Sequence, residues 1–206
     1  MDILLASNNA KKLKELHSIL ADAGITGVNI LPLSAAPTYT EPVEDGRTFA
    51  DNALIKARAG AKHTGLITLA DDSGLSVDEL NGCPGVLSAR WCGTHGNDAD
   101  NNALLLAQMQ HVPAERRHAA FVSTCALVTP DGEEHVVEGR WEGKLLKQPQ
   151  GTNGFGYDPL FLPNEEIAAG TMRSSAELSA EEKNAISHRG RALAQLVPII
   201  AQLATQ

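Results

Sequence analysis

Short apolar runs alternate with amphipathic helical patterns from the first residues of the chain. Ile3–Ala6 has the pattern of a buried strand, and Ser7–Asn9 follows it with side chains suited to capping a helix. The helix predicted there places its leucines on one face and ends near Gly24. A strand that leads directly into a helix is typical of folds in which helices cover a sheet.

The same alternation continues through the middle of the chain. Thr48 with Asp51 has the pattern of a capping box, which marks the start of a helix. Farther along, an apolar run leads straight into a group of acidic residues. The strands predicted in this part are 28–33 and 66–70, and the helices are 48–63 and 98–110.

The last third of the sequence adds a hairpin and a final helix. The Pro-Asp-Gly sequence at 130–132 is a strong hairpin signal between strand patterns at 121–129 and 135–141. Ser179 and Glu182 have the pattern of a second capping box, which begins a last helix that Pro198 should kink or restart. Because a hairpin is added to interleaved strands and helices, the sequence predicts a mixed α/β sheet.

Composition limits the class of protein. A chain of 206 residues can bury a core without metal or disulfide support, and no linker divides it, so one domain over residues 1–206 is expected. The net charge of −8 argues against binding to nucleic acid or anionic membrane. Three cysteines without CxxC spacing, and no apolar stretch of about 20 residues, favour a cytoplasmic protein.

Acidic residues stand where the strand predicted at 66–70 ends. Asp71 and Asp72 are adjacent, so on a strand their side chains point to opposite faces and only one of them can serve a given site fully. One carboxylate together with the Ser73 hydroxyl suits Mg²⁺ and an activated water. Glu44 is a candidate second metal ligand. The alternative is a polar turn with solvated acids.

Lysines form a second group of candidates. Lys11 and Lys12 follow the first strand–helix junction, and Lys56 lies four residues after Asn52 on one helical face. A helix N-terminus with a nearby lysine is suited to binding phosphate. The alternative for each lysine is a solvated helix surface.

Two further segments combine chemistry-bearing residues near the end of the chain. Residues 151–159 contain three glycines within six residues, which allow close approach to a flat ligand, with Phe155 or Tyr157 available for stacking. The segment matches neither a Rossmann fingerprint nor a P-loop. Residues 183–189 supply hydrogen-bond donors that suit a purine edge or a phosphate. A structural turn and a decorated helix surface are the alternatives.

These segments together resemble one family. The chain is similar to the Ham1-like, or inosine triphosphate pyrophosphatase, family, and the likeness runs from residue 7 to residue 193. Each motif alone is weak, whereas the ordered set is highly specific. The motifs that carry it are Ser7–Lys12, Thr48–Ala57, Ala70–Leu75, Pro84–Arg90, Gly154–Pro159 and Lys183–Arg189.

The resemblance implies an enzyme with an elongated mixed α/β fold, a twisted sheet flanked by helices and a central active-site cleft between two lobes. It implies a Mg²⁺-dependent homodimer that converts ITP, dITP or XTP to the monophosphate and pyrophosphate. Asp72 would be the general base, and Glu44 with Asp72 would bind the metal. The implied substrate-binding residues are Ser7, Asn8, Asn9, Ala10, Lys11, Lys12, Lys56, Ser73, Phe155, Gly156, Tyr157, Asp158, Lys183, His188 and Arg189.

Within that set, the resemblance divides the roles. Asn9, Lys12 and Lys56 would contact the triphosphate, while Phe155–Asp158, Lys183 and the His188-Arg189 pair would form the base and sugar pocket. Two alternatives stay open. A Maf-type nucleotide pyrophosphatase would carry a Ser-Arg-Arg run in its first loop, which this chain lacks. A nucleotide-sensing module without turnover has no use for paired carboxylates at an anion site.

Overall fold

The computed structural model describes residues 1–7 and 10–204, without the side chains of Ala10, Lys11 and Glu15. The predicted substrate contacts of Asn8 and Asn9, and those of the Ala10 and Lys11 side chains, therefore lie outside the described residues. The other predicted site residues are described.

A six-stranded sheet has the strand order β2-β1-β3-β4-β5-β6. β1 pairs in parallel with both β2 and β3, whereas β5 and β6 are antiparallel. The mixed α/β fold predicted from the sequence is thereby confirmed. The strands are β1 (Asp2–Leu5), β2 (Asn29–Pro32), β3 (Ile67–Val77), β4 (His118–Val128), β5 (Glu134–Leu145) and β6 (Phe161–Pro163).

Helices alternate with these strands. They are α1 (Ala10–Asp22), α2 (Phe49–Thr64), α3 (Asp98–Gln108), α4 (Asn164–Ala169), α5 (Ala180–Ile186) and α6 (His188–Leu203). The capping box predicted at Thr48 and Asp51 is confirmed, with both of its hydrogen bonds present, and so is the one at Ser179 and Glu182. Over residues 1–7 and 10–204, no helix is both long and apolar enough to cross a membrane.

The strand predicted at 66–70 is longer than expected. β3 continues through the acidic residues to Val77, so the prediction that Asp71 and Asp72 follow the end of a strand was wrong. The extension is stabilised from one side by Ser88, whose Oγ accepts a hydrogen bond from the Leu75 N–H at 2.9 Å. A Cβ at Gly74 would lie 2.4 Å from that Oγ, so this close approach requires glycine.

The final helix pattern also needs correction. The chain breaks between α5 and α6 at Ser187, whereas α6 continues through Pro198, so the predicted restart at Pro198 was wrong. Proline leaves the carbonyl of Ala194 without its helical donor. Because both Ala194 and Pro198 are exposed, water can take the place of that donor.

The chain forms two compact units. The first unit comprises Met1–Asp72, Ser123–Gly139 and Arg189–Gln206, and the second comprises Ser73–Val122 and Arg140–His188. Each unit has a hydrophobic core of its own.

In the first unit the sheet carries a different apolar layer on each face. One layer contains Leu69 and Leu127 with leucines of α1 and α6. The other contains Ala70, Ala126 and Val128 with the alanines of α2. Small residues let α2 approach the sheet closely: a Cβ at Gly60 would meet Thr68 Cγ2 at 2.5 Å. The alternation of strand side chains thus sends successive residues of β3 to different layers.

The second unit is built around aromatic side chains. Trp141 and Phe161 are fully buried and Phe121 packs against both of them. Arg117 is also buried, and its guanidinium donates to the backbone carbonyls of Leu145 and Leu146, among others, at 2.9 and 2.7 Å. A buried cation is thus satisfied by backbone oxygens that need donors.

Candidate active site

The two adjacent carboxylates of β3 lie on opposite faces of the sheet, as their spacing predicted. Leu69 belongs to the layer with α1 and α6, and Ala70 to the layer with α2. Asp71 and Asp72 continue this alternation: the first bonds to Lys12 of α1 and the second to Asn52 of α2. Each carboxylate therefore has a different environment.

Asp71 is buried and surrounded by positive charge. Its Oδ1 accepts from Lys12 Nζ at 2.7 Å, and its Oδ2 lies 3.7 Å from Arg189 Nε. Burial alone raises the pKa of the Asp71 carboxyl, but the charges of Lys12, Arg189 and Lys56 outweigh it and lower the pKa to about 2. Asp71 is thus a fixed negative charge that orients Lys12 and Arg189.

Among the described residues, Asp71 borders only a small space. A cavity of about 10 Å³ borders it, roughly the space of one water-sized sphere, and half of the residues that line it are leucines. Cys125 also lines this cavity. Burial and the neighbouring Asp71 charge raise the pKa of its thiol to about 12, so the thiol stays protonated and inert. We therefore assign Asp71 a positioning role.

Asp72 is only half-buried, and its orientation depends on Asn52. The Asn52 Nδ2 donates to Asp72 Oδ2 at 3.0 Å, while its Oδ1 accepts from the Gly46 N–H at 2.8 Å. Asn52 is 2% exposed, so its amide has a fixed orientation between these two partners. A Cβ at Gly46 would lie 2.6 Å from Asn52 Oδ1, which accounts for the glycine in this loop.

Lys56 lies one helical turn after Asn52 and connects two further groups. Its Nζ donates to Glu44 Oε2 at 3.1 Å and to the Asp71 backbone oxygen at 2.8 Å. Consecutive turns of α2 therefore hold both carboxylates that were predicted to bind metal: Asn52 holds Asp72, and Lys56 holds Glu44. The described contacts use two of the three Lys56 ammonium hydrogens, which leaves the third for a phosphate oxygen.

The second unit contains the predicted aromatic segment. Gly154, with φ +79°, and Gly156, with φ +60°, have left-handed backbone conformations that favour glycine. Asp158 is buried, accepts from the Phe155 N–H at 2.9 Å and pairs with Lys183 at 2.5 Å. The Lys183 ammonium also lies 5.1 Å from the centroid of the Phe155 ring, which is 55% exposed.

Tyr157 and His188 are more buried than a ligand-contacting role would suggest. Tyr157 is 4% exposed, and its hydroxyl donates to the Ser88 carbonyl at 2.9 Å. His188 is 8% exposed and stacks on Phe121, with ring centroids 5.1 Å apart. Both residues contribute to the core of the second unit, and a contact with substrate stays a prediction for each.

The structure groups the described site residues by unit. In the first unit Lys12, Lys56 and Arg189 all contact Asp71, Lys56 also contacts Glu44, and Asp72 contacts Asn52. The N–H of Ser7 bonds to the Leu5 carbonyl at the end of β1. The second unit contains Ser73, which is half-buried on β3, together with Phe155–Asp158, Lys183 and His188.

Some residues that organise these groups were not predicted to act in the site. Asn52 is the clearest example. The sequence signals for it are its place within the motif Thr48–Ala57 and its position four residues before Lys56, which places both on one helical face. The pairing of Asp71 with Arg189 had no signal, because 118 residues separate them along the chain.

Comparisons with known proteins show the family of this chain. The Ham1 family model matches residues 3–199. A dITP/XTP pyrophosphatase from Corynebacterium diphtheriae is 74% identical over 100% of this chain and 99% of its own length, and one from Mycobacteroides abscessus is 60% identical over 98% and 96%. This chain belongs to the Ham1 family.

Solved structures show the same fold. The crystal structure of a nucleoside-triphosphatase / dITP/XTP pyrophosphatase from Mycobacterium abscessus has a TM-score of 0.82, with 60% identity over 97% of this chain and 100% of that chain. A HAM1 protein from Coxiella burnetii has a TM-score of 0.86, with 39% identity over 98% and 99% of the two chains.

Proposed function

We propose that this protein is a nucleoside-triphosphate pyrophosphatase that hydrolyses the non-standard purine nucleotides ITP, dITP and XTP to the monophosphate and pyrophosphate, and so cleanses the nucleotide pool. Relatives that bear the name dITP/XTP pyrophosphatase, at 74% and 60% identity, support it. The observation that carries the proposal is the half-buried Asp72 carboxylate, which Asn52 orients. One helical turn after Asn52, Lys56 pairs with Glu44.

The residues of the first unit fit the chemistry of this reaction. A triphosphate repels an attacking water until its charge is neutralised, and Lys12 and Lys56 supply two fixed positive charges for that purpose. Asp71 and Glu44 keep the two ammonium groups in place. Asp72 would accept the proton of the water that attacks the α-phosphorus in line, and pyrophosphate would leave.

Magnesium is part of the proposal, with Glu44 and Asp72 as its ligands. In the described part of the chain, no three histidine, cysteine or acidic side chains come together as a metal cage. Two half-buried carboxylates, held by Asn52 and Lys56 on consecutive turns of α2, nevertheless fit Mg²⁺, which proteins bind through one or two carboxylates plus substrate phosphates. The ion would neutralise charge that develops on the phosphate oxygens.

The choice of base would depend on hydrogen-bond donors. A 6-oxo purine accepts a hydrogen bond where the amino group of adenine donates one, so a donor such as Arg189 would favour ITP over ATP by several powers of ten. In the second unit, the exposed Phe155 ring offers a surface on which a base can stack. Arg189→Ala should reduce the preference for ITP over ATP.

The resemblance supports two further parts of the proposal, a homodimer and a cytoplasmic location. Light scattering on the purified protein tests the first, with a mass of about twice 21.8 kDa expected. Cell fractionation tests the second.

The test is a direct measurement of products. Pyrophosphate and orthophosphate release are followed with ITP, XTP, ATP and GTP, each with Mg²⁺ and with EDTA. Pyrophosphate from ITP and XTP, little from ATP, and loss of activity in EDTA are expected. Activity that persists in EDTA would remove the metal from the proposal, and orthophosphate as the direct product would move the attack to the terminal phosphate.

Two other results would favour the alternative functions. Tight ITP binding without turnover would indicate a sensing module. No release from any of the four purine nucleotides, followed by release from pyrimidine triphosphates, would indicate a Maf-like activity.

A further inference from the structure

Helix α3 contacts the backbone of the aromatic segment through two side chains. The Asp98 Oδ2 accepts from the Gly156 N–H at 2.7 Å, and the Asn102 Nδ2 donates to the Gly156 carbonyl at 2.8 Å. Asp98 and Asn102 are four residues apart, so they lie on one face of the helix. One acid and one amide therefore hold both polar groups of a single glycine.

Gly156 is the residue that needs such support. Its φ of +60° is left-handed, and it stands between Phe155 and Tyr157. The N–H of Phe155 is held by Asp158, and the hydroxyl of Tyr157 by the Ser88 carbonyl. The Phe155 N–H and the Tyr157 side chain are thus fixed on either side of Gly156, while the Phe155 ring stays exposed. Without the contacts from α3, the backbone at Gly156 could rotate and move that ring.

We propose that Asp98 and Asn102 are positioning residues for nucleobase binding. They act through Gly156: by fixing its peptide groups they hold the Phe155 ring in the orientation in which a base stacks on it. This inference rests on the proposed function, because it takes the Phe155 segment as the base site. It adds two residues of α3 that no motif in the sequence indicated.

Three variants and a matched control test the role. Asp98→Ala removes the acceptor, and Asn102→Asp replaces the donor by an acceptor of the same shape that faces a carbonyl oxygen. Asp98→Asn keeps an oxygen for the Gly156 N–H and is the conservative variant. Asp100→Ala is the control, because Asp100 stands in the same first turn of α3 and bonds to Asn97 instead.

The measurements separate base binding from folding and from phosphate binding. For each variant, kcat and KM are measured with ITP, and the affinities for IMP and for ribose 5-phosphate are measured by calorimetry. Asp98→Ala and Asn102→Asp should raise KM about tenfold and weaken IMP binding equally, with kcat within about threefold, since one or two hydrogen bonds to a charged or polar partner are lost. The affinity for ribose 5-phosphate should stay close to the wild-type value in these two variants. In Asp98→Asn and Asp100→Ala, KM and the affinity for IMP should also stay close to the wild-type values.

Three results would overturn the inference. Unchanged IMP affinity in both Asp98→Ala and Asn102→Asp is one, and an equal loss for IMP and ribose 5-phosphate is another, because it would indicate general damage. An equal effect in Asp100→Ala is the third. Wild-type protein that releases no pyrophosphate from ITP would instead count against the proposed function. If Asp98→Ala does not fold, the affinities for IMP and ribose 5-phosphate are compared between Asn102→Asp and Asp100→Ala, and this comparison tests the inference in the same way.

Discussion

The two faces of the sheet in the first unit treat neighbouring carboxylates in opposite ways. Asp71 is enclosed by leucines and paired with two cations, and its pKa is lowered to about 2. Asp72, on the face covered by α2, is half-buried and bonded to a neutral amide. Asp71 itself is almost fully enclosed, although the Lys12 and Arg189 side chains paired with it stay partly exposed, whereas Asp72 retains solvent access.

The difference shows how one sequence dipeptide can serve two purposes. A carboxylate that must accept a proton from water needs access to water. A carboxylate that must hold lysine and arginine side chains in place needs the reverse. The alternation of a β-strand provides both environments at consecutive residues.

The largest expected effect is on activity, and it comes from the half-buried Asp72 on the face covered by α2. Asp72→Asn should lower kcat/KM for ITP about 10²–10⁴-fold, because the amide cannot accept the proton. Its oxygen can still accept from Asn52, so the melting temperature should change little. Pyrophosphate release and thermal unfolding are the measurements. Near-normal turnover would remove Asp72 from the role of general base.

The second effect is on stability, and it comes from the buried Asp71 on the face covered by α1 and α6. Asp71→Asn removes the negative charge that faces the largely buried Lys12 and Arg189, so the free energy of unfolding should fall by about 3 kcal/mol. Urea unfolding of Asp71→Asn and Asp72→Asn measures the difference between their free energies of unfolding. If Asp72→Asn were the more destabilising of the two, the assignment of roles to the two faces would be reversed.

The third effect is the pH dependence that Asp71 imposes. Its pKa is lower in the folded protein than the ordinary 3.8, so its contribution to stability is present above about pH 4 and is lost as the pH falls to about 2. The loss should amount to about 2 kcal/mol. Urea unfolding at several pH values measures it, and Asp71→Asn should flatten the curve in this window. An unchanged slope in the variant would assign the acid sensitivity to other carboxyls.

The smallest effect concerns the thiol beside Asp71. At pH 8 a group with a pKa of about 12 is ionised to about one part in ten thousand, so Cys125 should resist iodoacetamide while the exposed Cys83 reacts. Mass spectrometry of labelled peptides distinguishes the two, and urea-unfolded protein is the control in which both react. Equal labelling in the folded protein would show that this face is open to solvent.

Much of the fold could be predicted because its signals are local. The capping box at Thr48 defines the start of α2, and the Pro-Asp-Gly turn at 130–132 separates β4 from β5. The extent of β3 could not be predicted, because residues 71–74 are polar and resemble a turn. Their side chains and backbone find partners such as Lys12, Asn52 and Ser88, which are remote in the sequence.

In the candidate site, too, some residues could be predicted from local sequence signals and others could not. Its charged residues could be selected from the sequence because lysines, carboxylates and a glycine-rich aromatic segment each suit part of a nucleotide. Their positioning partners could not, since Asn52, Asp98 and Asn102 have no distinctive residue type and act through contacts made only after folding.

By itself, the sequence determined the order of the elements, their capping, and the fact that Asp71 and Asp72 point to opposite faces of a strand. These follow from helix and strand periodicities of a few residues. Only the tertiary structure decided which carboxylate became enclosed between positive charges and which stayed half-buried, because that depends on α1, α2 and α6. Which helix covers a strand is a matter of topology and packing, and no short stretch of sequence carries that information.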